Sequence, residues 1–153
     1  MKTDYTYFAY GSNMLTERIT ERLGMVQNVG LGILRNHQLV FNRMGSYLPG
    51  GVASVVPRFN SIVLGVIWKI DAGQLSVLDK IEDPSAYCRE TIKVDLETGA
   101  SLECVTYVSF PQGYCPPSAE YLSYLVQGAE EHNFPNKYVR NLKRRSTLAR
   151  KAA

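Results

Sequence analysis

Tyr7-Phe-Ala-Tyr-Gly-Ser-Asn-Met14 is the stretch from which the chain is best read. Aromatic and small apolar residues fill positions 5–10, a composition suited to a strand buried on one or both faces. Gly11 and Ser12 break that strand. Asn13 is placed to cap a helix, because Leu15, Ile19 and Leu23 recur behind it at four-residue intervals and lay an apolar stripe along one face. Strand, tight glycine turn and helix start together bring unpaired backbone N–H groups to the positive end of a helix dipole, a combination that binds anions. The same geometry equally suits a turn that binds nothing, since both the GxxxxGK[ST] and GxGxxG patterns are absent.

Outward from this stretch, residues 24–32 read as a loop or short extended segment. Residues 34–41 are strand-like, with His37 in a structural role, and the breaker-rich run 45–51 is a loop. A strand is expected over 52–56, a turn over 57–61 and a longer strand over 62–70. The near-continuous apolar run 62–68 implies burial on both faces, with Gly65 allowing a bend or a close backbone approach. Residues 87–96 and 101–110 pair around a hairpin at Glu97-Thr-Gly-Ala100. After a loop at 111–117, Ser118 caps a helix carrying Leu122, Leu125, Val126 and Ala129 on one face; Asn133-Phe-Pro135 interrupts it, and a short helix runs to about residue 148. Several strands with helices inserted between them, and few regular βαβ alternations, predict an α+β fold: a small mixed or antiparallel β-barrel with peripheral helices.

One carboxylate stands out. Asp71 opens a helix with Gln74 three residues on, the spacing of a capping box. Leu75, Leu78 and Glu82 then fall at i, i+3 and i+7, so an acid shares the apolar face just before Pro84 stops the helix. Burial and the negative end of the helix dipole both raise its pKa, which fits a proton-transferring group. A glutamate that snorkels to water from a helix end has the same spacing. Asp79 projects to another side of that helix and is expected to be solvated.

Composition narrows the classes. The length of 153 residues fits one domain, and 45% apolar with 20% charged residues is ordinary for a globular protein. No run of eighteen apolar residues occurs and the N-terminus lacks a signal-peptide layout, so a cytoplasmic protein without membrane association is expected. Cys88, Cys104 and Cys115 form no even disulfide framework and no CxxC, and with only His37 and His132 beside them no metal site is expected. The net charge of +3 hides an asymmetry: seven lysines and arginines follow residue 136, and subtracting them leaves residues 1–136 at −4. A domain over 1–145 with a basic tail at 146–153 follows, and a solvated terminal helix accounts for that basicity more simply than nucleic acid does.

The stretch Tyr7-Phe-Ala-Tyr-Gly-Ser-Asn13 resembles the signature of the gamma-glutamylcyclotransferase family. Gly50-Gly-Val-Ala-Ser54, Leu64-Gly-Val-Ile-Trp68, Leu78-Asp-Lys-Ile-Glu82, Cys104-Val-Thr-Tyr107 and Pro116-Pro-Ser-Ala-Glu-Tyr121 follow in the family's order, so the resemblance covers roughly residues 5 to 145. It implies a small barrel with one cavity. It also implies a substrate loop of Tyr7, Phe8, Ala9, Tyr10, Gly11, Ser12 and Asn13, further substrate contacts from Tyr87 and Tyr121, and Glu82 as the catalytic acid/base. The implied reaction needs neither cofactor nor metal: the α-amine of a small gamma-glutamyl substrate attacks its own side-chain carbonyl, releasing 5-oxoproline and an amine. Asp83, where the family has glycine, and a shorter 82–87 loop depart from the family pattern beside the acid/base group. A catalytically silent gamma-glutamyl-binding protein on the same scaffold would bind such ligands without releasing 5-oxoproline. A nucleic-acid module led by the tail would show salt-sensitive binding lost on truncation after Pro135. Neither the substrate's leaving group nor the choice between monomer and homodimer is legible.

Overall fold

One long two-stranded ribbon makes most of the expected barrel. The computed structural model describes residues 3–148. Five strands close in the order β1-β3-β2-β4-β5: β1 (Asp4–Ala9), β2 (Gln27–Met44), β3 (Gly51–Asp71), β4 (Tyr87–Leu96) and β5 (Ser101–Ser109). Neighbours are antiparallel except β1 and β5, which meet in parallel with Tyr7 opposite Val105. A 3-10 turn at Ser12–Met14 and α1 (Thr16–Leu23) connect β1 to β2; α2 (Ala72–Ile81) connects β3 to β4; α3 (Ala119–Glu131) and α4 (Asn136–Lys143) follow β5.

The ribbon corrects two expectations. Residues from Gln27 onward and the segment 57–61 are strand, not loop and turn. The breakers are absorbed by an irregularity: the register jumps from Arg35↔Ile62 to His37↔Pro57, leaving Asn36 opposite four residues of β3. Asn36 and Asn60 take φ values of 60° and 64°, a conformation asparagine tolerates, and Asn60 N donates to Asn36 Oδ1 at 3.1 Å. Proline, confined to edges and bulges of a sheet, sits at that bulge. The last helix also ends earlier than expected, at Lys143. Beyond it Arg145 Nη2 donates to Leu39 O at 2.8 Å and Leu148 N to Pro117 O at 2.9 Å, so part of the basic segment is packed structure; residues 149–153, with Arg150 and Lys151, lie outside the described residues.

Phe8 fills the barrel interior. It is fully buried, worth about 2–3 kcal/mol for a side chain of this size. Gly32 and Gly65, paired across β2 and β3, make the room: a Cβ on Gly32 would lie 2.9 Å from the Phe8 ring, and one on Gly65 2.4 Å from Ala9 O. Close approach, not a bend, is what Gly65 provides. The capping box of α2 forms as its spacing predicts, with Asp71 Oδ1 accepting from Gln74 N at 2.8 Å and Gln74 Oε1 from Asp71 N at 2.9 Å. Ser118 likewise caps α3, its Oγ accepting from Tyr121 N at 3.0 Å.

Candidate active site

Where β1 ends, the 3-10 turn, the end of α2, the start of α3 and the 45–48 loop converge on a cavity of about 100 Å³, several times the space a water needs. Tyr7, Tyr10, Gly11, Ser12, Asn13, Glu82, Tyr87 and Tyr121 all line it. Phe8 and Ala9 do not reach it, because their side chains belong to the core.

The turn is held from several sides. Asn13, expected to cap α1, does not: Leu15 occupies the cap position and no side chain bonds there, since the 3-10 turn intervenes between strand and helix. Asn13 is instead a buried junction. Its Nδ2 donates to Tyr7 Oη at 3.1 Å, its Oδ1 accepts from Arg22 Nη1 at 3.0 Å, and its carbonyl accepts from Trp68 Nε1 at 3.0 Å. His132 Nε2 donates to Met14 O at 2.8 Å. Met14 N makes the turn's first bond, to Gly11 O, so the N–H groups of Ser12 and Asn13 fall ahead of its own ladder. Gly11 has φ −112°, so what the site needs from it is lack of bulk: a Cβ there would lie 3.2 Å from Tyr121 Oη.

Glu82 is the C-cap of α2. Its N–H donates to Leu78 O at 2.8 Å while φ −83° and ψ 78° turn it out of the helix. Leu75 and Leu78 on the same face are buried. Burial pushes the Glu82 carboxyl above its ordinary pKa, and the nearby Arg22 guanidinium opposes the rise without cancelling it. Two neighbouring acids are occupied elsewhere. Asp79 is 39% exposed but bound, accepting from Arg89 Nη1 at 2.7 Å and Tyr107 Oη at 2.6 Å, where simple solvation was expected. Asp83 Oδ1 accepts from Ser85 N at 3.0 Å and Ser85 Oγ at 2.8 Å, bonds that hold its carboxyl below the usual range and close the short 82–87 turn.

The cavity's phenols stay protonated at neutral pH. Burial, reinforced by Glu82, holds Tyr7 and Tyr10 far above the ordinary phenol value; burial pushes Tyr121 up to about 12, against the bond from Ala53 N. Glu82 is thus the group suited to exchange a proton, with the tyrosines as hydrogen-bond partners. Arg18, Arg22, Tyr107, Thr106 and the 45–48 loop also line the cavity and were not singled out from sequence. Arg18 and Arg22 were legible: four residues apart, they share one face of α1 beside its apolar stripe. Arg18 stacks over the Tyr124 ring at 4.3 Å, and its buried Nε has no protein partner.

Among the described residues, no group of three His, Cys, Asp or Glu side chains is placed to hold a metal ion, and no helix is long and apolar enough to cross a membrane. A family model for the AIG2-like family matches residues 62–142. Gamma-glutamylcyclotransferase from Mus musculus is 32% identical over 145 residues, covering 91% of this chain and 77% of that one. The Homo sapiens gamma-glutamylcyclotransferase gives the same identity and coverage. A solved gamma-glutamyl cyclotransferase superposes with a TM-score of 0.90 at 30% identity, covering 95% of this chain and 89% of that one.

Proposed function

Because this chain belongs to the gamma-glutamylcyclotransferase family and matches the AIG2-like family model, we propose that it is an enzyme releasing 5-oxoproline and a free amine or amino acid from a gamma-glutamyl compound. The observation that carries the reading is one part-buried carboxyl, Glu82, in a cavity whose phenols are held protonated. The substrate's α-amine attacks its own γ-carbonyl carbon, a five-membered lactam closes, and the bond to the leaving nitrogen breaks. Glu82 takes a proton from the attacking ammonium and returns one to the leaving nitrogen, so charge and protons balance without a cofactor. The chain's other contribution is geometric. Well-oriented intramolecular reactions reach effective molarities of about 10⁵ M or more, so holding the folded-back conformer is itself catalysis. The N–H groups of Ser12 and Asn13 are suited to the substrate carboxylate, and Tyr87 and Tyr121 to its remaining polar atoms. We take residues 1–145 as the functional unit and the cytoplasm as its setting.

The test is a screen of purified protein against gamma-glutamyl dipeptides, gamma-glutamylamines, glutathione and gamma-glutamyl-protected intermediates, read as 5-oxoproline formed. Release from at least one class, abolished in Glu82→Gln, is expected. Ligand binding with no 5-oxoproline from any class overturns the enzymatic reading in favour of a binding protein.

A further inference from the structure

Four tyrosines around the cavity hold their hydroxyls in two opposite senses. A phenol has one proton to give and lone pairs with which to accept. Tyr10 donates to the carbonyl oxygen of Tyr107, and Tyr107 donates to Asp79 Oδ1. Those two protons are committed to the protein. Tyr7 and Tyr121 do the reverse: Asn13 Nδ2 donates to Tyr7 Oη at 3.1 Å, and Ala53 N donates to Tyr121 Oη at 3.0 Å. For Tyr121 the donor is a backbone N–H, so the sense cannot change. For Tyr7 it depends on which end of the Asn13 amide faces it, and Arg22 decides. A guanidinium only donates, so Arg22 Nη1, 3.0 Å from Asn13 Oδ1, requires the oxygen on its own side and the NH2 toward Tyr7.

We propose that Arg22 and Asn13 are positioning residues that make the Tyr7 hydroxyl a proton donor into the cavity, aimed at the γ-carbonyl oxygen as it becomes an oxyanion. The assignment of the acceptor rests on the gamma-glutamyl reading above. Among the described residues none accepts the Tyr7 proton, and Tyr7 is 4% exposed, so a ligand in the cavity is its natural partner. A donor oriented before the substrate arrives needs no reorganisation as charge develops, which is where such groups gain their effect. Tyr121 Oη, packed beside Gly11, supplies a second proton of the same sense.

Asn13→Asp tests the polarity with almost no change of shape. The carboxylate keeps Arg22 but can only accept, so the Tyr7 proton must swing away from the cavity. We expect kcat to fall about 10²–10³-fold with KM nearly unchanged, Tyr7→Phe to match it, and the double variant to be no slower than Tyr7→Phe alone. Asn13→Asp at wild-type kcat overturns the proposal. A second readout does not depend on turnover: the Tyr7 hydroxyl proton resonance of the unliganded protein should move downfield in Asn13→Asp, and an unchanged resonance overturns it as well. If Asn13→Asp does not fold, Arg22→Met is read by the same resonance, because Arg22 also touches Glu82 electrostatically and its turnover would report both. A resonance unmoved in that variant is equally fatal. Wild-type protein that forms no 5-oxoproline defeats the functional reading instead, and the resonance still judges the polarity.

Discussion

The inner and outer walls of the cavity are built by opposite rules. On the inner wall Tyr7, Asn13 and Tyr121 are buried, and each is bonded to a different element of the fold. The outer wall, residues 45–48 and 83–87, is open: Tyr47 is 73% exposed, and Asp83 spends its carboxylate on its own turn. A gamma-glutamyl compound has the same asymmetry. Its glutamyl half is common to every member of the class and its amine half varies. A wall fixed by cross-links suits the invariant half, and an open wall suits the variable one.

The largest break in this contrast should come at Glu82, where the walls meet. Glu82→Gln keeps size and hydrogen bonding but cannot exchange a proton, and we expect 5-oxoproline formation to fall 10²–10⁴-fold in a folded protein that still binds ligand. The same variant carries a pH signature. A carboxyl whose folded-state pKa lies above the unfolded value, about 4.3, destabilises the fold as pH rises through that interval. Thermal denaturation should therefore show Glu82→Gln gaining on the wild type from pH 4 to pH 8, and a constant difference would contradict a raised pKa.

Next in size is Gly11→Val. The added carbons meet Tyr121 Oη and Ala53 Cβ, 3.2 and 3.6 Å from an ideal Cβ, and displace the inner wall. A misplacement on the order of 1 Å costs about 10²-fold in rate, so steady-state kinetics should show kcat/KM reduced by that order while circular dichroism stays native. Tyr121→Phe should act on both affinity and stability. It strands the buried N–H of Ala53, which costs about 1–3 kcal/mol, so denaturant titration should show a loss that a purely ligand-facing hydroxyl would not cause. The smallest effect belongs to the outer wall. Tyr47→Ala should leave stability within about 0.5 kcal/mol, and KM should change by an amount that depends on the leaving amine. Equal KM changes for a bulky and a small amine would end the assignment of that wall to the variable half.

What was legible in the sequence was local. The capping box of Asp71 and Gln74, the hairpin at 97–100 and the inward face of Leu75, Leu78 and Glu82 each depend on residues within one or two turns of chain. What was not legible depends on partners far away. The β2–β3 ribbon runs through Pro57 and Asn60 because Asn36 on the opposite strand accommodates them. Tyr121 could be placed beside a pocket, but its bond to Ala53 crosses 68 positions. Asn13 has the chemistry of a helix cap and is used as a junction, its side-chain amide taken by Tyr7 and Arg22 while a 3-10 turn separates it from the start of α1. Eight of the residues that line the cavity were readable, from Tyr7 to Tyr121; the 45–48 loop, Thr106 and Tyr107 and the sense of the hydrogen bonds were not.

The parallel contact of β1 with β5 governs when this protein becomes whole. β1 finds its antiparallel partner only in residues 66–71 and its parallel partner only at Val105, both far downstream of it in the chain. The β2–β3 and β4–β5 hairpins close between sequence neighbours and are quick to form, whereas pairings of high sequence separation must first overcome loop-closure entropy and come late. The strand that leads into the 3-10 turn therefore waits, with unpaired edges, until β5 has been synthesised. Truncations short of β5 should fail to assemble the cavity even though Tyr7 to Asn13 and Glu82 are all present.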